Sequence, residues 1–420
     1  LTSNGDVSVE AKDEVSMLGI TGGASAGGSA AVGAAVDVFV FKNTVTARVG
    51  ENNTVIAGAL NIHADSDRRI GTYVLMVSAG GTAAINGSIA VVIIGDAADT
   101  TEADSYSAES DQQSQTDISA SAENSKIVAE YDNAYITQAN NTLSQAMANT
   151  SMDRYFGAGE SAKLEDKTSA TIGSGSLVIT NEGNVVVEAE ESTRPYSDDA
   201  HNAKDSDGNV TITEDVYDSF TTVAGGLSAS GTAAIGISVN VTVVNSTVEA
   251  YIAAQELTSE GDVTVEAESQ QRIVSAVLSG QASGTVAVGG AVSVLVFSAD
   301  VNSYIADSAQ ITAAGDVAIE ANNASSVETI TGSLSASGVA AVGAAVDTIV
   351  FSKDVKAQIG GAASVQAGKN IIVSADAGEN FTTNVVAVGG SGVAAVNGSV
   401  SVVIVENAVS ALVNADKAAD

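Results

Sequence analysis

The sequence predicts an all-β solenoid, a chain wound into stacked coils of strands, and three observations predict it. One apolar string recurs six times at nearly constant spacing. The segments between copies alternate apolar and polar residues with a period of two. The apolar mass is Ala, Val and Ile: 45% of the 420 residues are hydrophobic but only 4% are aromatic, with a single Pro. That is strand vocabulary rather than the material of a bulky core.

The recurring string runs over Ser25–Phe41, Ser78–Ile94, Ser228–Val244, Gln281–Phe297, Ser335–Phe351 and Gly389–Val405. Its anchor alanines are Ala31, Ala84, Ala234, Ala287, Ala341 and Ala395, in steps of 53, 150, 53, 54 and 54 residues. A second marker, a Gly-Asp or Gly-Asn turn followed by an alternating strand, appears at Asn4–Ala11, Glu182–Ala189, Glu260–Ala267 and Ala314–Ala321, with weaker copies at Ala57–Ala64 and Gly368–Ala375. Fixed-period self-similarity of this kind is the signature of a repeat architecture.

Taken in order, residues 1–96 form repeats one and two, and residues 97–166 form an insertion with helical spacing over 134–149. Residues 167–190 return to the framework, 191–215 form a shorter insertion, and 216–420 carry repeats three to six. Within a repeat, Val263 and Val265 alternate with Thr264 and Glu266, as in a strand with one wet face. The stretch Thr285–Phe297 is apolar on both parities, which predicts a strand covered on both sides. Each half-repeat of about 27 residues suits one rung of three short strands, so that twelve rungs would make a rod of roughly 58 Å. The alternative is a meander of long hairpins, with Ile273–Ser283 folding back on Thr285–Phe297 through Gly284.

The charge balance narrows the partners. With 51 acidic against 16 basic residues and a net charge of −35, the chain is a poor match for nucleic acid phosphates or an anionic membrane face. Its longest apolar runs, Ala83–Ile94 and Val286–Phe297, fall short of the roughly 18 residues of a spanning helix. The chain does not begin with Met and shows no signal peptide, which reads as a segment of a longer exported protein.

Catalytic chemistry finds little support. The two histidines are His63, at a repeat position held elsewhere by Glu, and His201, in the short insertion. No nucleophile elbow, Walker loop or zinc helix is present, so the sequence predicts no enzyme. Asp205, Asp207 and Asn209 have the oxygen-rich look of a calcium turn, but Val210 and Val216 stand where a calcium-binding hand needs Gly and Glu. A tight turn is the expected reading, and calcium there a weak alternative. Glu10, Glu188, Glu266 and Glu320 recur at equivalent positions; two rungs apart they would stand roughly 10 Å from one another. The long insertion concentrates the aromatic and basic side chains from which contact sites are made. Tyr106, Tyr131, Tyr135, Arg154, Tyr155 and Phe156 are its candidate ligand contacts, weighed against a subdomain that uses them for its own small core.

The strings SASGTAAIGISVNVTVVNSTVEAYIAA and EGDVTVEA resemble the repeats of giant leukotoxin-type filamentous adhesins, among the autotransporter and haemagglutinin-like exported proteins of Gram-negative bacteria. The resemblance covers the six repeats and neither insertion. It implies a β-helical stalk at the bacterial cell surface or beyond it, and adhesion to a host cell, matrix or glycan receptor. A second expectation is a self-assembling filament or extracellular matrix subunit, whose partners are identical chains.

Overall fold

The computed structural model of the chain describes residues 1–95, 166–196 and 221–415. The proposed helix over 134–149, the six aromatic and arginine candidates of the long insertion, His201 and the Asp205–Asn209 turn lie outside the described residues.

Six rungs stack in parallel. Rung 1 holds β1 (Val7–Gly27), β2 (Ala30–Phe41), β3 (Thr44–Val49) and β4 (Thr54–Ala57). Rung 2 holds β5 (Leu60–Gly80), β6 (Ala83–Ile94), β7 (Lys167–Ile172) and β8 (Leu177–Thr180). Rung 3 holds β9 (Val185–Pro195), β10 (Thr222–Ser230), β11 (Ala233–Ile252) and β12 (Glu256–Ser259). Rung 4 holds β13 (Val263–Ser283), β14 (Val286–Ile305) and β15 (Gln310–Ala313), and rung 5 holds β16 (Val317–Ser337), β17 (Ala340–Gly360) and β18 (Ser364–Ala367). Rung 6 holds β19 (Ile371–Ser391) and β20 (Ala394–Ala415). One long sheet holds β1, β5, β9, β10, β13, β16 and β19, a facing long sheet holds β2, β3, β6, β7, β11, β14, β17 and β20, and the four-residue strands form a narrow third wall.

The solenoid class holds, but the rung is twice the expected length. One full repeat of about 54 residues, not half of one, makes a single turn. Two similar half-repeats become the two long arms of that turn, and the alternation of side chains is the same either way. A 21-residue strand is roughly 70 Å long, while six rungs at the inter-strand spacing rise only about 24 Å. The molecule is a broad, shallow blade rather than the 58 Å rod of twelve narrow rungs. The chain does fold back at Gly284, as a hairpin would. The two arms, however, enter different sheets, and β13 pairs in parallel with β16 while β14 pairs in parallel with β17.

Register follows the repeat. Ala31, Ala84, Ala234, Ala287, Ala341 and Ala395 form one column, each paired with the next. At the fold-back, Gly28, Gly81, Gly231, Gly284, Gly338 and Gly392 form another. A Cβ built on Gly284 would lie 2.1 Å from the Gly231 carbonyl oxygen, and one on Gly338 would lie 2.2 Å from that of Gly284. Close backbone approach, not turn flexibility alone, requires glycine there.

The interior is banded. At the three-walled end Val, Ile, Leu and Ala from all three sheets form the largest core, including Leu60, Ile62, Val178, Val265 and Ile319. A second apolar cluster in mid-blade contains Ile94, Val244, Phe297 and Phe351, with the two phenylalanine rings stacked 4.6 Å apart. Polar belts separate these bands. In one, Asn240 Nδ2 donates to Ser275 Oγ at 2.8 Å and Thr329 Oγ1 donates to Asp347 Oδ2 at 2.6 Å.

Candidate interaction surfaces

Both insertions interrupt the blade at the same level of its width, in neighbouring rungs and from opposite long sheets. On rung 2 the chain leaves after Gly95, whose N–H bonds to the Phe41 carbonyl, and returns at Asp166, just before the Lys167 N–H bonds to the Asn43 carbonyl. Gly95 and Asp166 therefore sit beside Lys42 and Asn43, two consecutive residues of rung 1. On rung 3, β9 continues to Pro195, so it includes the first five residues of the stretch 191–215 assigned above to the short insertion. The Tyr196 N–H then bonds to the Ile70 carbonyl, and the Thr72 N–H bonds to the Thr221 carbonyl. Strand pairing resumes in register after each break.

Beneath this level lies an ion cluster that sequence reasoning missed. Arg68 is 1% exposed and shares the inward parity of Ile62, Ala64 and Ile70. Its guanidinium lies 2.8 Å from Asp166 Oδ1 and 3.3 Å from Glu191, and its planar group lies 5.4 Å from the centre of the Phe41 ring. Burial pushes the Asp166 carboxyl up to about 7; the Arg68 charge opposes the rise and the Glu191 charge adds to it. The partly buried Asp67 on the outer face behaves differently. Burial favours its neutral form, but hydrogen bonds from Arg194 and Ser192, with the charges of Arg194 and Arg69, hold it below the ordinary carboxylate range. The two carboxylates bonded to Arg68 come from the strands beside the two breaks, so one buried cation ties both insertion roots together. An arginine on the inward parity of Ile62, Ala64 and Ile70 was the available signal.

On the fold-back side of this level the blade is inside out. The outward positions of the second long sheet are Ile89, Val91 and Ile93 on rung 2, Val239, Val241 and Val243 on rung 3, and Val292, Val294 and Val296 on rung 4, which form one apolar cluster. On the first long sheet Leu75, Leu227, Leu278 and Leu334 point outward and are about half exposed. They stand beside glycines: a Cβ on Gly225 would lie 2.7 Å from Leu75, and one on Gly280 would lie 2.6 Å from Leu227. The inward positions of the same stretch mix Ser, Thr, Asn and Gln with a small apolar cluster that includes Val74, Met76, Val277 and Ala291. Gln281 Nε2 donates to Ser279 Oγ at 2.5 Å, whereas Asn86 Oδ1 and Gln281 Oε1 are buried without a hydrogen-bond partner. The valine and isoleucine cluster is itself buried, with Val239 and Val292 each 2% exposed, so the exposed apolar surface is the leucine row, and contiguous exposed apolar surface marks interaction sites. The expectation that Thr285–Phe297 is covered on both sides is met: Ala291, Leu295 and Phe297 on one parity and Val292 and Val294 on the other are all buried.

The opposite side of the blade carries the charge. Glu188, Glu266 and Glu320 are direct ladder partners one rung apart, not two rungs apart as the half-repeat rung implied. Glu10 faces His63, and His63 faces Glu188 with Nδ1 3.3 Å from the carboxylate. Burial, with the neighbouring Glu188, pushes Glu190 up to about 7; burial and the charges of Glu188 and Glu320 raise Glu266 as well. Tyr251 and Tyr304 stack 4.8 Å apart on the second sheet, and the Tyr304 hydroxyl donates to Glu249 at 3.0 Å. Among the described residues no group of three or more His, Asp or Glu side chains is placed to hold a metal ion, and no helix is long and apolar enough to cross a membrane.

No family model matches this chain, and neither a curated protein nor a solved structure matches it.

Proposed function

We propose that the chain is a non-enzymatic stalk segment of an exported bacterial surface adhesin, in which the solenoid is the carrier and residues 96–165 and 197–220 are the contact elements. The observation that supports this reading is the placement of the breaks. Among the described residues, an otherwise regular stack is interrupted beside one buried ion cluster, and pairing continues in register on the far side of each interruption. Loops displayed from a rigid repeat scaffold are where recognition ordinarily resides. The adhesin repeats that the strings resemble add the surface setting and a host cell, matrix or glycan partner.

The test compares the full chain with a variant in which Gly95 is joined to Asp166 and Tyr196 to Thr222. Both are presented to cultured host cells, matrix proteins and a glycan array. The reading expects adhesion by the full chain and its loss in the variant, with the β-sheet circular dichroism of the carrier retained. Equal adhesion by both, or adhesion by neither, would overturn it.

A further inference from the structure

At its fold-back end, the outer face of the first long sheet is a bare apolar plane. The last four outward positions before the fold-back on each rung form four columns of the ladder, and no residue in those columns is charged, in a chain with a net charge of −35. Leu75, Val77, Leu227, Leu278 and Leu334 are between 46% and 58% exposed. They stand on rungs 2 to 5, which are paired on both sides, so the exposure belongs to the face and not to an open edge. The face is also level. Leu75, Leu227 and Leu278 each lie over a glycine of the next rung, Gly225, Gly280 and Gly332, where a Cβ would come within 3.0 Å of the leucine. Level sheet faces pack on one another about 10 Å apart.

We infer that a second copy of this chain packs on this plane face to face, the two blades pointing in opposite directions about a two-fold axis that runs along the stacking direction. Residue sizes single out a second copy as the partner. About that axis each rung lies across the same rung of the second copy, and outward positions two residues apart exchange places. Leu227 then lies opposite Gly225 of the second copy, Leu278 opposite its Gly280 and Leu334 opposite its Gly332. Val223 and Ile330 fall opposite Ala229 and Ala336 in the same way. Among rungs 2 to 5 only rung 2 sets large against large, Leu75 against Val77. A two-fold contact needs a patch that complements itself, and the pairing of one leucine with one glycine inside each of rungs 3, 4 and 5 supplies it.

Area and charge agree. Four columns about 6.8 Å apart on six rungs about 4.8 Å apart cover roughly 780 Å², against the roughly 800 Å² that each partner gives to a stable interface. The Glu266 ladder lies about 40 Å along the strand from the axis. Opposed blades carry their two ladders to opposite sides, far beyond the screening length. This inference does not depend on what the insertions contact.

The test uses the full chain in sedimentation velocity over a concentration series. Monomer passing to dimer and no further is expected. Growth beyond two would overturn the proposal, and so would chains that stay single at every concentration, including any that bind uncharged phosphatidylcholine vesicles instead. L227D combined with L278D places carboxylates on half-exposed positions, so the β-sheet circular dichroism should be kept while the dimer weakens roughly a hundredfold. An unchanged dimer would show that this face is not the interface.

The chain has no cysteine, so the axis can be located directly. A bismaleimide matched to the spacing of about 10 Å between packed sheets should join L278C chains to one another. Q270C, on the same outer face about 30 Å from the axis, should stay single. Cross-linking of Q270C as readily as L278C would sink the inference.

Discussion

Gly95 and Asp166 hold the places of two consecutive residues in the ladder, although residues 96–165 lie between them. The framework is continuous in space where it is broken in sequence.

Excision is accordingly expected to be mild. Joining Gly95 directly to Asp166 leaves every described strand pair intact. The shortened chain should keep its β-sheet spectrum and melt within a few degrees of the full chain. A collapse of the melting temperature by scanning calorimetry would show that the insertion supports the blade.

Removing Arg68 is a different matter. R68A strands the Asp166 and Glu191 carboxylates in the interior, and breaking a buried ion cluster from one side costs about 3–5 kcal/mol. The urea midpoint should fall sharply. R68M combined with D166N and E191Q removes the charges together and should recover much of the loss. Equal midpoints for wild type and R68A would show that the cluster does not stabilise the fold.

Glycine at the fold-back should be more demanding than glycine on the open face. G284A must displace the Gly231 carbonyl, whereas a Cβ on Gly398 meets nothing within 4 Å. Overpacking at the first site is expected to cost about 1–3 kcal/mol, with G398A close to neutral. Chemical denaturation of both variants measures the contrast.

The pH dependence should run opposite to that of a protein held by carboxylate ion pairs. Asp166 and Glu190 are raised to about 7, and Glu266, Asp300 and Asp347 are raised as well, with burial the first cause in each. These groups hold protons more tightly folded than unfolded. Their contribution is fully present below the ordinary carboxylate range and is lost as pH rises through the folded values. Asp67 opposes them from the other direction. Melting temperature should therefore rise as pH falls from about 8 toward 5, and E190Q should flatten that rise. A melting temperature that falls over this interval would contradict the assignment.

The repeat and its anchors were legible because each is a matter of spacing: the six anchor alanines are the six members of one column. Rung size was not. Two half-repeats of similar length, each with a turn and an alternating strand, look the same whether they are two coils or the two arms of one, and only pairing partners decide. The error carried into the Glu188, Glu266 and Glu320 ladder, which is twice as close-set as that reading allowed. Arg68 was readable in principle, since parity alone puts it inside. Its partners were not, because Asp166 is 98 residues away and becomes a neighbour only when the chain returns from its excursion.

The breadth of the rung sets how the blade would behave under load. Parallel edges pulled apart at the termini release one turn at a time, like tape lifted from a roll. Each turn of about 54 residues frees roughly 180 Å of extended chain. A tether built this way would lengthen in equal steps and dissipate work at each one, and it could yield several times over without letting go.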